Sequence, residues 1–138
     1  MQNETSWKRF YRFAAFFNFA AAFMLLFATE AFFALLQMQS LYVPELLPWA
    51  HQFGVLVLVF GFGYWRIAGN PKDHKDIIWM GCLGKTLVFL MAWFDFFFND
   101  LPIGFPLLVV ADLAFAGVYF VFLRSMGRDA AYRREVIR

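Results

Sequence analysis

One cysteine, Cys82, is all the chain carries in 138 residues. That excludes a disulfide framework within the chain and a zinc site built from cysteines. Charge is also scarce: 16% of residues are Asp, Glu, Lys or Arg, against about a quarter in a soluble domain. The formal net charge of +2 is too small to mark a nucleic-acid partner. No repeat, no low-complexity segment and no linker long enough to tether a second unit interrupts the chain. Its length suits a single domain over residues 1–138.

Apolar surface is what the chain has in excess. Hydrophobic residues make up 62%, aromatics 22%, and Phe alone contributes 21. A domain this small could not hide so much apolar area from water, because surface shrinks slowly with size. The composition therefore argues against a soluble enzyme, a nucleic-acid binder and a disordered regulator, and for a protein whose solvent is lipid.

A bilayer core about 30 Å thick needs about 20 mainly apolar residues per helix. Four windows meet that, at about 13–36, 49–65, 77–97 and 103–123. The runs are continuous and do not alternate with period two, so they predict helices and not a barrel. Turn chemistry separates them: Pro44 and Pro48, then Gly69-Asn70-Pro71, then Asn99-Asp100-Leu101-Pro102. The short second and third links force antiparallel neighbours. The expected fold is an all-α, four-helix transmembrane bundle, up-down-up-down.

Eleven of the twelve Lys and Arg residues fall on one side of these spans, from Lys8, Arg9 and Arg12 through Arg66, Lys72 and Lys75 to the Arg-rich tail. The loops with Glu45 and Asp100 hold none. The positive-inside rule then places both termini in the cytoplasm. Trp7, Trp49, Trp65 and Trp79 fall near the predicted interfaces, where amphipathic rings prefer to sit. The first apolar run has a signal-like basic start. Its length exceeds a signal core of about 7–15 residues, so it reads as a retained helix. The tail from Arg124 to Arg138 predicts a short amphipathic extension against anionic headgroups, at about 1 kcal/mol per basic residue.

Ionisable residues inside lipid are costly and need a partner or a wet cavity. Lys85 and Asp112 lie at similar depth, about 12 and 16 Å from the basic side, with Asn18 about 8 Å in. Small residues flank them: Gly81 before Lys85, Ala14, Ala15, Ala21 and Ala22 around Asn18, and Ala116 after Asp112. Lys85 and Asp112 are expected to pair, with Asn18 or Tyr119 supplying a further hydrogen bond. Two readings of the pair stand together: a clamp that sets helix register, or the polar head of a binding site. Glu30, His51 and Asp95 share the outer depth. They read either as solvated interface residues or as a cluster, with metal binding a branch of the second. Their spacing matches no ligand motif such as HExxH.

Other tempting patterns carry no site. Asn70 to Asp76 is a charged cytoplasmic turn, and His74 there is a lone imidazole. Gly61-Phe62-Gly63 lacks the strand and the Lys-Ser/Thr of a phosphate loop. Gly84-Lys85-Thr86 would need a glycine where Trp79 stands. The Phe richness reads as lipid contact and core filling.

The glycine-bearing helix end Gly61 to Trp65 (GFGYW), the Asn70-Pro71 turn and the following Gly81-x-x-Gly84-Lys85 together resemble small bacterial four-helix membrane proteins of the DoxX-like kind. The resemblance covers the four-span layout and the stretch from Gly61 to Lys85. It implies a bacterial inner membrane and a compact bundle, and it implies no substrate and no catalytic residue.

The expected function is a small integral membrane protein that holds a lipid, a quinone or another amphipathic molecule between its helices. Membrane lipids are its expected partners, and nucleic acid is not. The alternatives are an accessory subunit of a membrane protein complex and a proton- or ion-coupled transporter working as a homo-oligomer. No nucleophile–base pair is readable, so an enzyme ranks last, and the residues name no cofactor.

Overall fold

The computed structural model describes residues 4–136, with side chains through Gly127. Five helices run in order: α1 over Glu4–Phe27, α2 over Thr29–Leu35, α3 over Leu47–Ile67, α4 over Lys75–Phe98 and α5 over Gly104–Val136. No strand occurs among the described residues. The four long helices α1, α3, α4 and α5 form the bundle, and each is long and apolar enough to cross a membrane. The protein is a multi-pass membrane protein. Helices suit that solvent because each satisfies its own backbone hydrogen bonds.

Prolines stand where a helix tolerates them. Pro48 and Pro71 occupy the first positions of α3 and of a short 3₁₀ turn over Pro71–Asp73. Pro106 sits in the first turn of α5, where a backbone N–H would lack an intrahelical acceptor anyway. The turn after α2 is closed by backbone bonds from Met38 N–H to the Phe33 carbonyl (2.8 Å) and from Gln37 N–H to that of Ala34 (3.1 Å). Gln37 itself takes the left-handed conformation at φ 57°, where glycine is the usual residue.

The second and third spans start and stop near their expected bounds, and the fourth starts near its own and continues as helix to Val136, but the first matches at neither end. α1 begins at Glu4, not near Phe13, and ends at Phe27, not near Leu36. Its start is charged and still helical, helped by the Lys8–Glu4 ion pair one turn apart (2.9 Å). Its end is a bend at Ala28 (φ −140°, ψ 40°). There the Thr29 hydroxyl donates to the Leu25 carbonyl at 2.7 Å, a back-bond that bends helices. Beyond the bend, α2 brings Leu36 against Gly104 so closely that a Cβ on Gly104 would overlap the Leu36 carbonyl.

The bundle consists of two tight pairs. α1 packs along α3, and α4 packs along α5. Glycines make the first contact close: a Cβ on Gly54 would lie 3.0 Å from Leu25 and one on Gly61 2.6 Å from the Phe19 ring. In the second pair the Cys82 thiol donates to the Ala116 carbonyl of α5 at 3.4 Å. The pairs meet firmly at the basic end. There Tyr11, Tyr64 and Tyr119 are fully buried, and Tyr11 (tilted) and Tyr64 (edge-on) both pack against Tyr119 with ring centroids 5.3 Å apart. The Trp7 ring of α1 lies 4.8 Å from that of Phe122 in α5. The start of α1 and the distal part of α5 therefore share one end of the bundle. α5 continues to Val136, and the side chains of the Arg-rich tail from Arg128 lie outside the described residues.

Candidate functional site: a polar trio at the floor of an apolar cavity

Between the two pairs, away from the tyrosines, lies a cavity of about 270 Å³. All four long helices line it. Its walls are apolar, with Leu25 from α1, Phe53 and Val57 from α3, Val88 from α4 and Leu108 from α5. Phe53 and Leu56 are also exposed on the outside of α3, so the cavity reaches the bundle's surface along that helix.

Its floor is polar. Lys85, one turn beyond Gly81 on the buried face of α4, pairs with the Oδ1 carboxylate oxygen of Asp112 on α5. The Lys85 ammonium also donates to the Asn18 Oδ1 of α1 at 3.5 Å. The Asn18 Nδ2 in turn donates to the Val57 carbonyl of α3 at 3.3 Å. One chain of polar contacts thus ties together all four spans. The Lys85 Nζ further lies 5.1 Å from the centroid of the Phe115 ring, 5.8 Å from that of Tyr64 and 5.9 Å from that of Phe17. Ring faces carry partial negative charge and favour a cation.

The longer start of α1 explains how Asn18 reaches Lys85. Asn18 stands fourteen residues after Glu4, about 21 Å along the helix, far deeper than its distance from Phe13 implies. Lys85 is ten residues, about 15 Å, beyond the start of α4.

Tyr119 takes no bond to the pair. It lies two turns below Asp112 among the buried tyrosines, its ring centroid 5.3 Å from that of Tyr64. Neither its hydroxyl nor that of Tyr11 has a hydrogen-bond partner among the described residues.

The outer three residues are not joined by any hydrogen bond or ion pair among the described residues. Glu30 is on α2, whose buried face is Thr29, Phe32 and Phe33, and so it points outward. Asp95 serves its own helix end. Its side chain accepts from Asn99 Nδ2 at 2.7 Å, and its backbone carbonyl accepts from the N–H groups of Asn99 and Leu101. His51 is half-buried at the start of α3. No group of three His, Cys, Asp or Glu residues among those described could hold a metal ion.

Sequence reasoning did not single out the Val57 carbonyl or the rings of Phe17, Tyr64 and Phe115. Two spacings point to the rings: Phe17 adjoins Asn18, and Phe115 follows Asp112 by three, on the same helix face. No residue type reports a backbone acceptor such as Val57.

No family model, no curated protein and no solved structure matches the chain.

Proposed function

We propose that the protein holds an apolar or amphipathic small molecule, such as a lipid or quinone, between its helices. The observation that carries this reading is the cavity of about 270 Å³ with apolar walls and a polar floor. A purely structural ion pair has no need of a cavity beside it, and close packing normally removes voids of this size. Apolar walls with a few convergent polar groups are the usual build of a small-molecule site.

The natural setting proposed for this activity is a bacterial inner membrane, with the basic end cytoplasmic. Support comes from the loop charges: Lys8, Arg9, Arg12, Arg66, Lys72, Lys75 and Arg124 belong to one end of the bundle and Glu45 and Asp100 to the other. The glycines and the Asn-Pro turn between Gly61 and Lys85 support kinship with DoxX-like proteins.

Mass spectrometry of molecules retained through gentle purification tests the reading. The wild-type protein is expected to keep one small molecule per chain. Gly84→Leu provides the control, because Gly84 lines the cavity and a Cβ there meets only the Phe60 ring tip at 4.0 Å. That variant is expected to fold normally and lose the molecule. A stoichiometric protein retained in place of a small molecule, by wild type and variant alike, would favour the accessory-subunit reading.

A further inference from the structure

The floor of the cavity is chemically one-sided. Lys85 is 7% exposed and Asn18 6%, and both ends of the Asn18 amide are already bonded. The Asp112 side chain keeps 18% of its surface exposed, twice the 9% of the Lys85 side chain. Asp112 stands on the face of α5 that also carries the buried Val109, Phe115, Ala116 and Tyr119. Its exposed part therefore looks into the cavity it lines. Lys85 occupies Oδ1, and Oδ2 has no partner among the described residues. Tyr64 also lines the cavity but is 1% exposed, so its hydroxyl offers a ligand little. What the floor presents is an acceptor, backed by a cation that is already neutralised.

We propose that the cavity takes a neutral, hydroxyl-bearing amphiphile whose O–H donates to the free Oδ2 of Asp112 while its apolar body lies along Leu25, Phe53 and Val88. This rests on the reading of the cavity as a binding site and specifies the head it selects. A carboxylate or phosphate head would bring negative charge beside the open side of Asp112. The Lys85 ammonium cannot answer it, since Asp112, Asn18 and three rings enclose it. An amine head would put a second cation against one carboxylate in a medium of low dielectric. An ether or ester head has no proton to give and leaves Oδ2 unmatched. A hydroxyl adds no charge and supplies the missing donor, and hydrogen bonds to a carboxylate are among the stronger ones. Size sets a bound too. An apolar protein cavity of about 150 Å³ holds benzene, so the part of the ligand inside 270 Å³ is a ring with substituents or a medium-length chain, and anything longer extends past α3 into the surroundings.

The test uses the full chain in phosphatidylcholine nanodiscs, with uptake of radiolabelled probes measured as excess over empty nanodiscs. The probes share one chain and differ in the head: 1-decanol, 1-methoxydecane, decanoate and decylamine. The expected result is that decanol exceeds each of the others about tenfold, the scale of one buried hydrogen bond to a charged group. Lys85→Met combined with Asp112→Leu keeps the cavity and removes the acceptor, and there decanol and methoxydecane should bind alike. The wild-type comparison stands even where that variant fails to fold. Decanoate or decylamine bound best would overturn the proposed head and leave the binding cavity intact. Equal uptake of decanol and methoxydecane would do the same. No uptake of any probe above empty nanodiscs would remove the binding reading itself.

Discussion

A Cβ on Gly81 would lie 2.7 Å from the Tyr64 hydroxyl, so α4 approaches α3 at the basic end only because residue 81 has no side chain. The same Cβ would lie 3.1 Å from the Tyr119 ring. Tyr64 and Tyr119 are themselves fully buried and have little room to retreat. Gly81→Ala is therefore expected to destabilise the fold by roughly 1–3 kcal/mol, the range for overpacking a tight core. Thermal unfolding in detergent measures it. A variant as stable as wild type would show that the tyrosine cluster yields.

The Lys85–Asp112 pair should show the asymmetry of buried ions. Lys85→Met strands a carboxylate among apolar walls and is expected to cost roughly 3–5 kcal/mol. Adding Asp112→Leu should restore most of that loss, because two apolar side chains need no partner. Asn18→Leu should cost less, since the ion pair survives it. Equal stability of the single and double variants would mean that Lys85 extends its ammonium to the interface, where water solvates it.

Gly104 and Gly61 both sit under close contacts but differ in what opposes them. Gly61 faces the Phe19 ring, which belongs to a half-buried side chain that can turn. Gly104 faces the backbone of Leu36, which cannot turn. Gly104→Ala is expected to be the more damaging and to loosen α2 and the turn at Gln37. Hydrogen exchange of the Met38 amide, bonded to the Phe33 carbonyl, should then quicken selectively. Slower or unchanged exchange would contradict the clamp.

The proposed orientation has a direct check by labelling in a Cys82→Ala background. An impermeant thiol reagent applied outside the cell should modify Ser40→Cys, in the exposed stretch after α2, and spare Asp73→Cys, in the exposed turn before α4. The opposite pattern would invert the topology.

The number of long apolar helices and which bundle end is basic could be read from the sequence, since apolar length and loop charge are local properties, whereas the short α2 was hidden inside the first apolar run. The bounds of α1 could not. Hydropathy marks where a chain meets lipid, whereas a helix continues into the headgroups wherever its residues allow, as from Glu4 to Arg12. Nor does hydropathy register a bend inside an apolar run, as at Ala28. For Lys85 and Asp112, one basic and one acidic residue at like depth sufficed to suggest a pair, because lipid leaves a buried charge so few alternatives. Glu30 and Asp95 were open to several readings because interfacial water removes that compulsion. Asp95 bonds its own helix end, a choice settled by local geometry. The cavity was not legible at all. It depends on how side chains from all four long helices meet, and no single residue in the chain encodes that.

Each tight pair is built from spans that are neighbours in the chain, so each can form from segments made one after the other. α1 and α3 are complete before α4 is made, and the Asn18 contact to Val57 can lock them first. Lys85 then emerges 27 residues ahead of Asp112. Threaded into the bilayer by itself, α4 would carry an unneutralised ammonium through hydrocarbon. Entering together with α5 as a hairpin, α4 would carry that charge already matched by Asp112 and avoid a cost of a few kcal/mol.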